Sequence, residues 1–151
     1  MEATPTVVFV CLHGAAKSVL AAAYFERLAA EQGANLRATA AGLDPDPEVS
    51  PRVAQALLEQ GLDIRGHRPR AVTRGELARA WRVVSFGCDL TPLLPPGVAL
   101  DRWDDVPSIN QDFNAVCGLI RARVPQLFEE WKIAERGAIA GSAEPCRPCG
   151  S

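Results

Sequence analysis

A short segment near the start of the chain brings together a thiol, small residues and a positive charge. It reads Cys11-Leu12-His13-Gly14-Ala15-Ala16-Lys17-Ser18. Small residues let an anion approach backbone N–H groups closely, and such a loop at a helix N-terminus binds oxyanions. The same field favours the thiolate of Cys11, while Lys17 adds charge and the Ser18 hydroxyl can donate to the sulfur. We therefore expect residues 12–18 to bind a tetrahedral oxyanion facing a sulfur nucleophile; a buried thiol beside a solvated lysine is the simpler alternative.

The spacing of this segment excludes two common phosphate-binding loops. A Walker A loop requires G-x-x-x-x-G-K-[ST]. Lys17-Ser18 fits its end, but Ala16 precedes the lysine and Cys11 occupies the first glycine position. The G-x-G-x-x-G motif of dinucleotide-binding folds is absent. The segment is therefore not predicted to bind a nucleotide.

The composition is that of one globular domain. The 151 residues are 48% hydrophobic and 23% charged, with a net charge of -2, which indicates neither a nucleic-acid nor a membrane partner. The first residues are polar and acidic, and no apolar run is long enough to span a bilayer, so a cytoplasmic protein is predicted. Five cysteines, an odd number, argue against a structural disulfide framework. Reduced thiols are expected.

Apolar residues at helical spacing predict four helices between turn signals. The first begins at Lys17, and the others begin after Ser50, Thr73 and Ser108. The last three of these residues are predicted N-caps. Gly33 and Gly61 are expected to end the first two helices, and Pro125 predicts a kink or a short interruption in the last.

Short β-branched and aromatic runs predict four strands that alternate with these helices. They cover residues 6–10, 36–41, 82–87 and 98–103. The alternation predicts a single α/β domain, residues 1–137, with a four-stranded parallel sheet and helices on both faces. Residues 138–151 are expected to form a flexible tail. Ligands of such sheets bind beyond the carboxyl ends of the strands. Cys11 stands at one such end, and Cys88 lies just beyond another.

The loop resembles that of the low-molecular-weight protein tyrosine phosphatase and arsenate reductase superfamily, in which an apolar strand, C-x-x-N-x-x-R-S and a helix follow one another. The matching residues are Cys11, Gly14, Lys17 and Ser18. The likeness continues in TAAGLDP, VAQALLEQGLDI, ARAWRVVSF and RWDDVP, in the same order, and covers about residues 6–135. This resemblance implies a flavodoxin-like order of the strands.

The resemblance also implies a two-step phosphatase chemistry. Cys11 would attack phosphorus and form a phosphocysteine, while the loop amides, Lys17 and Ser18 stabilise the charges. An aspartate would protonate the leaving oxygen and then activate water. Asp104 and Asp105 are the candidates, and a solvated loop before the last helix is the alternative role for this pair.

Three departures from the superfamily pattern bear on activity. Lys17 replaces an arginine, so a mobile point charge stands where a rigid two-oxygen fork is usual. Gly14 replaces the loop asparagine, and the acid loop reads Asp-Asp-Val-Pro rather than Asp-Pro. Because lysine keeps the charge, we expect anion binding to survive better than turnover.

Cysteines elsewhere in the chain leave a redox alternative open. In thiol-dependent arsenate reductases of this fold a second cysteine follows the third strand, and Cys88 lies close to that position. A third cysteine is missing from residues 89–96. Cys146 and Cys149 in the tail could resolve a disulfide between Cys11 and Cys88, form half of a metal site, or be incidental; we favour the last.

Three functions follow in order of preference. The first is a phosphatase-like hydrolase of phosphate monoesters. The second is an arsenate reductase that uses Cys11, Cys88 and a thiol partner, either thioredoxin or a low-molecular-weight thiol. The third is a protein that binds phosphate, arsenate or a similar oxyanion with little turnover because of Lys17. No cofactor and no metal site are predicted.

Overall fold

Four parallel strands form the centre of the computed structural model, which describes residues 4–64 and 66–143. The strands are β1 (Thr6–Cys11), β2 (Arg37–Gly42), β3 (Arg82–Ser85) and β4 (Leu100–Arg102). Their order in the sheet is β2-β1-β3-β4, and every neighbouring pair is parallel. The predicted single α/β domain and its flavodoxin-like strand order are therefore confirmed.

Four helices connect and cover the strands. They are α1 (Lys17–Glu31), α2 (Pro51–Glu59), α3 (Arg74–Ala78) and α4 (Phe113–Ala143). Side-chain caps begin two of them, as predicted: Ser50 accepts a hydrogen bond from the N–H of Val53, and Thr73 accepts one from the N–H of Glu76. These caps satisfy N–H groups that a helix leaves unpaired in its first turn.

The pleat of β1 sends its side chains to two separate cores. Phe9 and Cys11 pack in the core that contains residues of α1, α2 and α4, whereas Val8 and Val10 pack on the opposite face with α3. Cys88 belongs to this second core. Helices therefore lie on both faces of the sheet, as predicted, and the two cysteines belong to cores on opposite faces.

The start of α4 differs from the prediction. Ser108 does not cap this helix; its hydroxyl accepts from the N–H of Asn110 in the turn that precedes it. Asp112 takes the capping role instead, because its side chain accepts from the N–H of Ala115. Serine and aspartate have the same capping chemistry, so the sequence did not distinguish a turn from a helix four residues later.

Of the kink or short interruption predicted at Pro125, the interruption is absent, since α4 continues through this residue. Proline removes one hydrogen bond of the helix. Val124, Leu127 and Phe128 are buried beside it, and the ring of Phe128 packs against that of Phe25 on α1. Helix α4 also continues past Gly137, where the sequence predicts the tail to begin. Cys146 and Cys149 lie outside the described residues.

Two strands are shorter than predicted. β3 ends at Ser85 rather than at residue 87, and β4 covers only residues 100–102. Gly87 has a φ of 79°, which an extended strand does not allow, so the chain turns immediately after β3. Among the helices in residues 4–64 and 66–143, none is both long enough and apolar enough to cross a membrane.

Candidate active site

The loop between β1 and α1 turns its carbonyl groups toward the segment that follows β2. The carbonyls of Leu12, His13 and Ala15 accept from the N–H groups of Asp44, Asp46 and Ser50, at 2.8, 3.0 and 2.9 Å. In a planar trans peptide the N–H points away from the carbonyl oxygen. The N–H groups that follow these carbonyls therefore point toward the opposite side of the loop, which is the geometry of an anion-binding nest.

The same loop passes very close to the end of β2 at Gly14. This residue has a φ of 61°, in the left-handed region, and an added Cβ would lie 2.8 Å from the backbone nitrogen of Gly42. Such a distance leaves no room for a side chain. Gly14, which departs from the superfamily pattern, is thus explained by a close approach of two backbones.

We expect Gly14→Ala to lower the free energy of unfolding by more than the roughly 1–2 kcal/mol typical of a left-handed alanine. The added methyl group would collide with the backbone of Gly42, and the nest would widen. Chemical denaturation and phosphate titration measure the two effects. Gly33→Ala is the matched control, because Gly33 has a similar φ of 67° but nothing within 4 Å of an added Cβ. Equal losses of stability in the two variants would contradict this explanation.

Cys11 lies at the start of the loop with its sulfur against the first turn of α1. Its Sγ is 3.0 Å from the Oγ of Ser18, and both residues are buried. A serine hydroxyl at this distance donates to a thiolate, which is the charged form that needs compensation in a buried position. The pair that the sequence predicts is therefore in contact.

Lys17 extends from the start of α1 toward the loop that follows β4. Its ammonium donates to the carbonyl oxygen of Val106 at 3.3 Å and lies 5.9 Å from the centre of the Phe86 ring. One of its three donors is thus engaged by the protein. The others remain for an anion in the adjacent cleft, which Lys17 also lines.

The two candidate acids are both held by arginines. Asp104 accepts from the N–H of Gly87 at 2.9 Å and from Arg102 at 3.0 Å. Both carboxylate oxygens of Asp105 accept hydrogen bonds from the guanidinium of Arg123, and the two side chains form a forked ion pair. These hydrogen bonds lower the pKa of Asp105, whereas a proton donor near neutral pH needs a raised one.

A cleft of about 440 Å³ opens in front of Cys11. Besides the loop it is lined by Asp46, Ser50, Pro51, Phe86, Ser108, Ile109 and Asn110. Neither Asp104 nor Asp105 is among its lining residues. Asp46, which the sequence analysis did not single out, faces this cleft. The available signal was its position just beyond the carboxyl end of β2.

Cys88 lies three residues after the end of β3 and is buried. Its N–H donates to the hydroxyl of Ser85, which in turn donates to the carbonyl of Cys88. Burial, together with the nearby charge of Cys11, raises the pKa of the Cys88 thiol to about 11, and the charge of Lys17 opposes this shift. The Cys88 sulfur lies 4.0 Å from the carbonyl oxygen of Val10, the residue before Cys11, although the two cysteines belong to different cores.

We expect Cys88 to react with iodoacetamide on the order of 100-fold more slowly at pH 8 than a free cysteine, because only a minute fraction is thiolate. Its rate should rise about tenfold per pH unit until roughly pH 11. Mass-spectrometric peptide mapping of the native protein against time measures both. Alkylation of Cys88 at the rate of a free thiol at pH 8 would contradict the buried position.

A metal role is not supported by the described residues. Within residues 4–64 and 66–143, no group of three histidine, cysteine, aspartate or glutamate side chains is arranged to hold a metal ion. The arrangement can instead present one thiol and several N–H donors to an anion.

Cys11 stands at the end of β1, before a small-residue loop and α1, on the parallel sheet with the order β2-β1-β3-β4. The family model described as low molecular weight phosphotyrosine protein phosphatase matches residues 6–89, more than half of the chain, and the chain belongs to this family. The superfamily inferred from the loop is thus confirmed.

Individual relatives carry both kinds of name. A putative arsenate reductase of Halobacterium salinarum is 26% identical over 86% of this chain and 95% of its own length. The thioredoxin-dependent arsenate reductase of Corynebacterium glutamicum has 25% identity and a TM-score of 0.73; the match covers 88% of this chain but 64% of that one, less than two thirds. A low molecular weight protein tyrosine phosphatase from T. tengcongensis shares the fold, with 19% identity and a TM-score of 0.75 over 83% of this chain and 99% of that one.

Proposed function

We propose that the protein hydrolyses a phosphate monoester through a covalent intermediate on Cys11. The contact that carries this proposal is the 3.0 Å approach of the Cys11 sulfur to the Ser18 hydroxyl, at the base of a loop whose carbonyls are turned away. The cleft of about 440 Å³ in front of the sulfur has room for a phosphoryl group and part of its ester substituent.

The first step is an attack of the Cys11 thiolate on phosphorus. The sulfur–phosphorus bond forms as the ester oxygen–phosphorus bond breaks, and negative charge spreads over the three equatorial oxygens. The N–H groups of residues 12–18 and the Lys17 ammonium stabilise that charge without needing to reorganise. The sulfur loses its negative charge in this step. In the second step water attacks phosphorus and the sulfur–phosphorus bond breaks. The Ser18 hydroxyl then stabilises the thiolate that forms again on Cys11.

Arsenate reduction is a second candidate, and the position of Cys88 beside Val10, the residue before Cys11, favours it. Cys11 would attack arsenate and displace hydroxide. The Cys88 thiolate would then attack the Cys11 sulfur, so that the sulfur–arsenic bond breaks, a disulfide forms and the bonding electron pair leaves with arsenic as arsenite. The thiol partner would reduce the disulfide. The names of the two arsenate reductases among the relatives support this reading. The burial of Cys88 and its pKa of about 11 oppose it, because an attacking thiol must be ionised and exposed to its target.

A paired assay separates these functions. Hydrolysis of 4-nitrophenyl phosphate is measured beside reduction of arsenate supplied with thioredoxin or with glutathione, and Cys88→Ser is the discriminating variant. Ester hydrolysis that persists in Cys88→Ser supports the phosphatase. Arsenite release that requires Cys88 supports the reductase. Phosphate binding in calorimetry without either turnover leaves oxyanion binding as the function.

A further inference from the structure

We propose that His13, oriented by Asp46, is the group that gives a proton to the leaving oxygen and later takes one from water. The inference rests on the proposed phosphatase function and names a proton donor for it. A proton donor other than the two aspartates is needed, because the Asp104 and Asp105 carboxylates are bound to arginines and do not line the cleft. His13 lines that cleft together with Cys11.

The contacts of the imidazole fix which of its nitrogens is free. Nδ1 lies 3.1 Å from the carbonyl oxygen of Asp44 and 3.3 Å from a carboxylate oxygen of Asp46. A carbonyl oxygen and an ionised carboxylate only accept hydrogen bonds, so Nδ1 must carry a proton. The proton that His13 gains or loses is therefore on Nε2, as in catalytic histidines whose other nitrogen is held by a carboxylate.

Asp46 holds His13 at two points. Its carboxylate contacts the ring, and its backbone N–H donates to the His13 carbonyl at 3.0 Å. The ring is about half exposed, so water reaches it and the proton can be replaced between turnovers. The other titratable side chains lining the cleft are Cys11 and Lys17, and both belong to the same loop-and-helix segment as His13.

The proton balance of the two steps closes on His13 alone. In the first step the sulfur–phosphorus bond forms, the ester bond breaks, and the leaving oxygen takes the Nε2 proton, which leaves a neutral imidazole. In the second step water attacks phosphorus and gives its proton to Nε2 as the sulfur–phosphorus bond breaks. The products are the alcohol and inorganic phosphate, and the thiolate and the imidazolium are restored.

Leaving-group dependence tests the assignment. A protonating group matters most when the leaving oxygen is strongly basic, so His13→Gln should lower kcat/KM about 100-fold for phenyl phosphate but only a few-fold for 4-nitrophenyl phosphate. Asp46→Asn keeps an oxygen acceptor for Nδ1 but removes the charge, and should show the same selective loss, about 10-fold. His67→Gln is the matched control, because the second histidine lines other cavities and should change neither rate.

Several results would overturn the assignment. Equal losses for both esters in His13→Gln, or no loss for either, would mean that no proton passes through His13. A selective loss in Asp104→Asn or Asp105→Asn, and not in His13→Gln, would return the role to the acid loop. Phosphate binding by calorimetry shows that each variant keeps its loop. If the unmodified protein hydrolyses neither ester while it binds phosphate, the proposed phosphatase function itself has failed, which is a separate outcome.

Discussion

Cys11→Ser is expected to lower phosphate-ester turnover by about 10⁴-fold or more while phosphate binding persists. A serine hydroxyl at this position is a far weaker nucleophile than a thiolate. The groups that we propose to bind the anion are backbone N–H groups of residues 12–18 and the Lys17 ammonium, and the substitution leaves them in place. Steady-state hydrolysis of 4-nitrophenyl phosphate measures the first effect, and calorimetric titration with phosphate measures the second.

Cys117→Ser is the matched control for this substitution. Cys117 is buried on α4 among apolar side chains and does not line the cleft. A hydroxyl there should cost about 1–3 kcal/mol of unfolding free energy because it is buried among apolar neighbours, yet leave turnover intact below the unfolding transition. Turnover that survives in Cys11→Ser would show that another residue is the nucleophile.

Lys17 should control both binding and rate. Lys17→Met removes the charge that faces the anion and is expected to lower kcat/KM by about 100-fold and weaken phosphate binding. Lys17→Arg should raise kcat/KM for phosphate esters by about 10-fold or more, because guanidinium can bind two phosphoryl oxygens with a planar fork. It has donors enough to keep the hydrogen bond to Val106 as well.

The second lysine of the chain offers the matching control. Lys132 is on α4, where its ammonium lies 3.4 Å from the carboxylate of Glu129. Lys132→Met should leave both kcat/KM and phosphate affinity unchanged, which separates a local effect from one of net charge. A lower kcat/KM in Lys17→Arg would contradict this prediction. It would mean that the cleft is fitted to an ammonium group and that a guanidinium does not stabilise the transition state better.

The arrangement of the fold could be predicted because its signals are local. The apolar runs of β1 and β3 and the caps at Ser50 and Thr73 each lie within a few residues, so pattern and propensity suffice. The contact between Cys11 and Ser18 belongs to the same class, because a strand, a short loop and a helix in series leave little choice of geometry. The strand ends and the start of α4 were predicted less accurately, because residues of equivalent turn and capping chemistry follow one another there.

The proton-transfer groups could not be predicted in this way, because long-range partners decide their state. Asp105 is bound by Arg123, which stands 18 residues later on a helix. Nothing in the sequence of the acid loop itself indicates that this carboxylate is paired with an arginine. His13 and Asp46 meet only because β2 pairs with β1 and brings the segment after β2 beside the loop. Tertiary contacts of this kind lie outside the reach of local patterns.

The hydrogen bonds from the segment after β2 to the loop after β1 have a consequence for folding. The loop obtains its shape from residues more than 30 positions later in the chain. A nascent chain that has formed only β1 and α1 therefore cannot yet hold an oxyanion, and a synthetic peptide of this region would lack the necessary partners. Phosphate should accordingly bind the native state alone, so that raising its concentration slows unfolding without accelerating the earliest collapse.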